Sequence, residues 1–134
     1  KYDTPPRDVE CAFDTGAMQT FISRNALKEL GIDIEKEKAG TEDEFLPNGH
    51  KFKVDMVMVN AVIKDDIGLG FQWLRCAVFP EGMENLYQSL GDNVEGIIGL
   101  DIIGNSTFTL GKESSSLDVM FTGKSYRDTI DMID

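Results

Sequence analysis

Apolar and polar residues alternate over several short stretches of this chain, and turn-forming residues separate the stretches. The alternation predicts β-strands over residues 9–13, 20–23, 53–63, 71–79, 95–98, 107–110 and 117–121. In the longest stretch, Val54 and Met56 occupy one face and Val57 and Val59 the other, so we expect a central strand. Many short strands joined by glycine-rich turns predict an all-β fold, either a barrel or a sandwich.

Helical signals are few and short. Ser23 has the character of a helix N-cap, residues 24–30 carry apolar side chains on one face, and Gly31 is placed to end the helix. Residues 100–103 favour a second helical turn. The segment 35–44 is charged and has no periodic pattern, which predicts an exposed connection. We therefore expect one or two short helices.

The strongest turn signal lies in the stretch Phe45-Leu46-Pro47-Asn48-Gly49-His50. The Asn-Gly pair within it favours a tight hairpin with positive φ angles. At the other end of the chain, the segment 124–134 is charged with scattered apolar residues. Its pattern does not distinguish a helix from a strand or from disorder.

Length and charge limit the classes of protein to which this chain can belong. A chain of 134 residues with 41% hydrophobic residues is long enough for a single domain, taken as residues 1–134, with a real core. The sequence contains no apolar run of membrane-spanning length, so we expect a soluble protein. The net charge of −11 opposes phosphate binding and argues against nucleic acid. The acidity is typical of a soluble surface, and a mild preference for basic substrates is the functional alternative.

Cysteine and histidine are scarce, which limits the candidate chemistry. Cys11 and Cys76 form no Cys-x-x-Cys pair, and His50 is the only histidine, so zinc and Ser-His-Asp sites are disfavoured. We expect no metal and no cofactor. Both cysteines lie in strand-like apolar stretches, which favours buried free thiols in a reducing compartment, and we expect a cytoplasmic protein.

The segment Ala12-Phe13-Asp14-Thr15-Gly16-Ala17 is the principal candidate for chemistry. A short strand runs directly into an aspartate, and the small residues after it let the backbone turn tightly. The strand would therefore deliver the Asp14 carboxylate to the floor of a cleft. The alternative is an aspartate that bonds its own backbone in a tight turn.

A second element, Gly96-Ile97-Ile98-Gly99, lies about 80 residues downstream of the aspartate. With the Asp-Thr-Gly-Ala box and the Thr20 beyond it, this element makes the chain resemble the retropepsin-like aspartic proteases. The resemblance implies an acid protease barrel that acts as a C2 homodimer on a peptide or protein substrate. The net charge and the lack of a long apolar run predict neither nucleic acid nor membrane as a partner.

Peptide hydrolysis by carboxylates alone needs two of them, because one accepts a proton from water while the other polarises the carbonyl. Two carboxylates held close together share one proton and titrate as a unit. This chain contains a single Asp-Thr-Gly box. On the enzymatic interpretation, the second carboxylate is Asp14 of another copy across a two-fold axis.

The resemblance also implies roles for the residues around the aspartate. Thr15 would bond across the dimer interface, the Gly16 backbone would lie near the carboxylate pair, and Thr20 would pack beneath the loop. A hairpin flap, best matched by residues 45–50, would close over the peptide. The implied catalytic residues are Asp14, Thr15 and Gly16, and the implied substrate-binding residues are Ala17, Met18, Gln19, Phe45, Leu46, Ile97 and Ile98.

A second hypothesis keeps the fold without the activity. The flap segment lacks the glycine-rich tip of viral members of the family, and the segment before Asp14 is short. Both features are compatible with a catalytically weak or inactive protease-like module of a larger protein, which would serve dimerisation or peptide binding.

Overall fold

Strands dominate the computed structural model, which describes residues 7–9, 11–13, 16–45, 49–80, 94–104 and 118–133. The strands are β1 Arg7–Asp8, β2 Cys11–Phe13, β3 Phe21–Ile22, β4 Lys38–Phe45, β5 Lys51–Lys64, β6 Leu69–Val78, β7 Gly96–Ile98 and β8 Asp118–Thr122. The helices are α1 Arg24–Leu30, α2 Ile34–Glu37, α3 Leu100–Ile103 and α4 Tyr126–Ile133. The mostly-β architecture agrees with the sequence prediction, but the described residues contain four short helices rather than one or two.

All eight strands belong to one mixed sheet. Its order is β1-β8-β5-β6-β3-β7-β2, and β4 pairs with β5 outside this path. The long strand β5 pairs with β4, β6 and β8, which confirms the central strand predicted from its two apolar faces. The β2–β7 and β3–β6 pairs are parallel, and the other pairs described are antiparallel.

The main core lies between one face of the sheet and helix α1. Leu27 and Leu30 are fully buried against Val57, Val59 and other apolar residues of that face. Burying a leucine side chain contributes roughly 1.5–3 kcal/mol relative to leaving it exposed. Helix α1 is therefore held mainly by its apolar face.

Both ends of α1 are fixed as the sequence predicts. The Ser23 hydroxyl oxygen accepts a hydrogen bond from the Ala26 amide at 3.0 Å, and Ser23 has extended backbone angles. Gly31 ends the helix in the left-handed conformation, with φ +81° and its amide donating to the carbonyls of Leu27 and Lys28. The boundaries 24–30 are confirmed because both signals are local.

The exposed connection predicted for residues 35–44 is wrong. Part of that segment forms α2, and most of it forms β4, which pairs antiparallel with β5 from Lys38 to Phe45. Strand β4 is polar on both faces because neither face enters the main core. Its charged side chains hide the strand periodicity, whereas the backbone pairing to β5 makes it a strand.

The C-terminal segment, whose pattern is ambiguous in the sequence, forms α4. Ser125 caps this helix, since its hydroxyl accepts from the Asp128 amide at 3.1 Å. The buried Glu37 carboxylate accepts from the Ser125 hydroxyl and from the Arg127 amide, the latter at 3.0 Å. Tyr126 packs edge-on against Trp73 of β6, with ring centroids 5.0 Å apart.

Some predictions fall partly or wholly outside the described residues. The predicted strand 107–110 and the turn residues 46–48 belong to this group, whereas Gly49 has φ +86° as the predicted turn requires. The predicted strand 9–13 is described as β2 alone, with residue 10 outside the described set. In the described part of the chain, no helix combines the length and the apolar character needed to cross a membrane.

Candidate active site

The strands before and after the Asp box, β2 and β3, both pair with the same strand, β7. Strand β7 lies between β2 and β3, with Ile97 opposite Ala12 in the parallel pair and opposite Phe21 in the antiparallel pair. The segment 14–20 joins β2 to β3, so the strands on both sides of it pair with β7. A strand far away in the sequence holds both ends of the loop.

The start of α3 fastens the same loop through a set of hydrogen bonds. The Leu100 amide donates to the Ala17 carbonyl at 2.8 Å. Asp101 accepts from the Thr20 amide at 3.0 Å and from the Thr20 hydroxyl at 2.7 Å, and the Gly99 amide donates to the Thr20 hydroxyl oxygen at 3.2 Å. Thr20 is fully buried, and bonds to a carboxylate are stronger than neutral ones. The loop therefore has a fixed base.

The two glycines that flank the Ile-Ile pair allow this close packing. A Cβ atom on Gly99 would lie 2.5 Å from the Gln19 carbonyl oxygen and 2.8 Å from that of Ala17. A Cβ atom on Gly96 would lie 2.8 Å from the Phe21 carbonyl oxygen and 2.7 Å from Cys11 Sγ. Glycine is required at position 99 because its backbone lies directly against the loop backbone, and at position 96 because it lies against the backbone of β3 and the Cys11 side chain.

A family model described as aspartyl protease matches residues 7–102, and so includes both the Asp box and the Ile-Ile-Gly element. The chain belongs to this aspartyl protease family of the retropepsin-like clan. No curated protein and no solved structure gives a significant match. The family assignment therefore depends on the match to the family model, and the matched residues include β2, β3 and β7.

The catalytic residues implied by the aspartyl protease family are described only in part. Asp14 and Thr15 lie outside the described residues, directly after the end of β2. Gly16 is described and is exposed. The described structure therefore defines the base of the loop, and the position of the carboxylate stays a prediction.

The implied substrate-binding residues fall into separate environments. Met18 is 73% exposed, and Ala17, Gln19 and Ile97 are partly buried around the loop. Ile98 is only 1% exposed and belongs to the main core, so it supports the loop and has no surface open to a peptide.

The two implied flap residues are also described unequally. Leu46 lies outside the described residues, whereas Phe45 is 66% exposed at the end of β4, opposite Lys51. By strand alternation, Phe45 lies on the face of β4 opposite that of Glu44. A substrate contact by Phe45 stays a prediction.

A polar group beside the loop was not predicted from the sequence. The Gln19 side-chain amide donates to Glu42 at 3.2 Å and to Glu44 at 2.8 Å, and Arg75 of β6 pairs with Glu42. Partial burial raises the pKa of the Glu44 carboxyl, the hydrogen bond from Gln19 lowers it, and the charge of Glu42 raises it further, with a net rise. Alternation of Glu42 and Glu44 along a strand is the sequence signal that could have found this group.

The role of Asp101 was also missed, since the sequence placed it only near the start of a helical turn. Its charge acts on the core as well as on Thr20. Burial is the main cause of the raised pKa of the Cys76 thiol, and the charge of Asp101 and the Cys11 thiol add to the rise. Neither cysteine forms a disulfide, and Cys76 is buried as the sequence predicts, whereas Cys11 is only partly buried.

A cavity of about 370 Å³ lies along α1 and the segment that follows it, and is separate from these residues. Arg24, Lys28 and Gly31 line it, together with residues 32–35. None of these residues belongs to the loop, to β7 or to the start of α3. The cavity is therefore no part of the candidate active site.

Proposed function

We propose that this protein is an aspartic endopeptidase that acts as a homodimer, with one Asp14 from each copy in the catalytic pair. The observation that carries the proposal is the attachment of the Asp14 loop. Thr20 is buried and bonded to Asp101, and Ala17 is bonded to Leu100, within the part of the chain that matches the aspartyl protease family. Such a base gives a catalytic carboxylate the fixed position that it needs.

The proposed reaction uses the two Asp14 carboxylates with one shared proton. The ionised carboxylate accepts a proton from water as the water oxygen attacks the peptide carbonyl carbon. The protonated carboxylate donates a hydrogen bond to the carbonyl oxygen, where negative charge develops. The carboxylate that took up the water proton then donates it to the leaving nitrogen as the C–N bond breaks, which leaves the pair with one shared proton, as at the start.

The requirement for a second copy arises from the single Asp-Thr-Gly box. Apolar surface beside the loop supports such an interface, since Met18 is 73% exposed and Leu100 is 36% exposed. A two-fold interface brings the same surface of each copy together, so a patch at the loop meets itself. Thr15 would bond between the two loops.

The β4–β5 hairpin is the proposed cover of the peptide. Gln19 of the loop is hydrogen-bonded to Glu42 and Glu44 of β4, which supports the assignment of this hairpin as the flap. A closed hairpin would exclude water other than the reacting molecule. Phe45 and Leu46 would lie at the end of the flap strand and contact the peptide.

The test is cleavage of an unfolded protein at mildly acidic pH by wild-type protein and by the Asp14→Asn variant. We expect the variant to lose cleavage, whereas Asp131→Asn, a change of the same kind at an exposed position of α4, should retain it. Cleavage that survives in Asp14→Asn would exclude the proposed pair.

Mixing the wild-type and Asp14→Asn proteins tests the shared site. If both copies supply a carboxylate, activity at constant total protein should fall as the square of the wild-type fraction. A linear fall would contradict a site shared between copies. A wild-type protein that dimerises and binds peptide without cleaving it would instead favour the inactive binding module.

A further inference from the structure

The side chain of Arg75 links β6 to β4 across the intervening strand β5. In the sheet, Arg75 lies opposite Met58 of β5, and β4 pairs with the other edge of β5. Its Nε and Nη2 atoms donate to the Ala39 carbonyl at 3.1 and 2.9 Å, and its Nη1 atom pairs with Glu42. One guanidinium group thus holds both the backbone and a side chain of β4.

The backbone that Arg75 holds is an irregular part of β4. The register with β5 shifts between Lys38 and Thr41, and Gly40 has φ +97°. A Cβ atom on Gly40 would lie 3.1 Å from Arg75 Nη2. A bulge bends a strand and redirects the residues beyond it, so Arg75 binds at the point that sets the direction of residues 41–45.

The Glu42 carboxylate, which pairs with Arg75, also contacts a residue of the candidate active site. Glu42 Oε2 pairs with Arg75, while Glu42 Oε1 accepts from the Gln19 amide nitrogen at 3.2 Å. Glu44 accepts from the same nitrogen at 2.8 Å. The contacts form a continuous path from β6 through β4 to the loop after the Asp box.

We propose that Arg75 is a positioning residue of the proposed peptidase, which fixes the flap strand β4 and, through Glu42, the side-chain amide of Gln19. Both carboxylates require donors, so the NH₂ group of Gln19 faces β4. The Gln19 carbonyl oxygen is then the atom presented to a bound peptide, which it would recognise through an N–H or O–H donor. This inference rests on the proposed function.

The chemistry of arginine suits this position better than that of lysine. The planar guanidinium group satisfies the Ala39 carbonyl and the Glu42 carboxylate at once, whereas an ammonium group cannot match both contacts in the same geometry. Its charge also offsets one of two neighbouring carboxylates. Without it, Glu42 and Glu44 would repel each other beside Gln19, and both the strand and the amide would lose their fixed position.

Steady-state kinetics on a peptide that the wild-type protein cleaves provide the first test. The Arg75→Gln change removes the charge-assisted contact to Glu42. The KM of this variant should therefore be about tenfold higher than that of the wild type. The kcat value should stay within about threefold, because the change affects peptide binding and not the carboxylate pair. Arg75→Lys should give an intermediate KM.

Two further variants separate this role from a general structural one. The double variant Arg75→Gln/Glu42→Gln removes the uncompensated charge and keeps an acceptor for Gln19, so its KM should return to within about threefold of the wild-type value. Arg127→Gln is the matched control for KM, since it is the same substitution at an exposed position of α4, outside β4 and the loop. An unchanged KM in Arg75→Gln, or an equal rise in Arg127→Gln, would overturn the proposal.

Amide hydrogen exchange reads the same link without any need for activity. Arg75→Gln should increase exchange in both 38–45 and 16–19, whereas Asp43→Asn should leave 16–19 unchanged. If the wild-type protein hydrolyses no peptide, the proposed function fails, and faster exchange at 16–19 still establishes the link from Arg75 to the loop. Unchanged exchange at 16–19 would overturn the role of Arg75 even in an active enzyme.

Discussion

The Thr20 hydroxyl donates to Asp101 Oδ1 across 81 positions of sequence, at a distance of 2.7 Å. The same carboxylate accepts from the Thr20 amide, and the hydroxyl oxygen accepts from the Gly99 amide. Two groups of one buried threonine, its amide and its hydroxyl, thereby make three hydrogen bonds to Gly99 and Asp101. This contact fastens the end of the Asp14 loop to the start of α3.

Replacing Thr20 with valine should therefore destabilise the protein strongly. The change keeps the shape of the side chain but removes the hydroxyl, and it leaves the Asp101 carboxylate and the Gly99 amide each without one partner. We expect a loss of about 2–3 kcal/mol in the free energy of unfolding. Urea denaturation measures it, with the exposed Thr41→Val of β4 as a control that should change little.

A double-mutant cycle with Asp101→Asn shows whether the loss of unfolding free energy in Thr20→Val arises from the contact between Thr20 and Asp101. We expect Thr20→Val and Asp101→Asn to be non-additive by about 1 kcal/mol or more, because both changes alter the hydrogen bond between the Thr20 hydroxyl and the Asp101 carboxylate. Additive effects would mean that the two residues act independently of each other.

Gly99→Ala should be the most damaging single methyl addition among the described glycines. The new Cβ atom would meet backbone atoms of Gln19 and Ala17 at 2.5–2.8 Å, and backbone cannot move aside as a flexible side chain can. We expect a loss of about 3 kcal/mol or more in unfolding free energy, or failure to fold. Gly68→Ala is the control, because no atom lies within 4 Å of its Cβ position.

Replacing Glu37 with alanine should release the C-terminal helix. Its buried carboxylate accepts from the Ser125 hydroxyl and the Arg127 amide, so both donors would lose their partner. We expect a loss of about 2 kcal/mol in unfolding free energy and faster amide exchange in 126–133. Glu35→Gln, on an exposed position of α2, should show neither effect. Equal exchange in the two variants would contradict the capping role.

The stability of Glu44→Gln relative to wild type should depend on pH. The pKa of Glu44 is raised in the folded protein, so its charged form is disfavoured there. The wild-type protein therefore loses stability relative to the variant as pH rises from about 4.3, the ordinary pKa of a glutamate, through the raised value. Below about pH 4 the ionisation of Glu44 should contribute little to the difference in stability between the two proteins. At pH 7 the variant should be the more stable. Thermal unfolding between pH 3.5 and 7 measures the difference, and the opposite trend would contradict the assignment.

Local signals explain which elements could be predicted from sequence. Ser23 and Gly31 define α1 through bonds within a few residues, so its boundaries were predictable. Strand β4 was missed because its charged side chains are held by Gln19 and Arg75, which are distant in sequence. The helix α4 likewise depends on Glu37, and no pattern within the tail reveals that partner.

The residues of the candidate site also fall into two groups, those that were predictable from local sequence and those that were not. The Asp-Thr-Gly-Ala box and the Ile-Ile-Gly element were visible as short motifs, and the family match supports them. Asp101, Glu42 and Arg75 act by bridging elements, and single residues of this kind carry no motif. They became apparent only once the sheet order brought β4, β6 and α3 around the loop.

The insertion of β7 between β2 and β3 has a consequence for the order of events during synthesis. A nascent chain emerges with its N-terminus first, and the Asp14 loop lacks the strand that holds it until residues 96–101 have also emerged. Long-range strand pairing of this kind forms late, because distant segments must meet first. A chain that ends before these residues therefore lacks both the strand that pairs with β2 and β3 and the helix start that bonds Ala17 and Thr20.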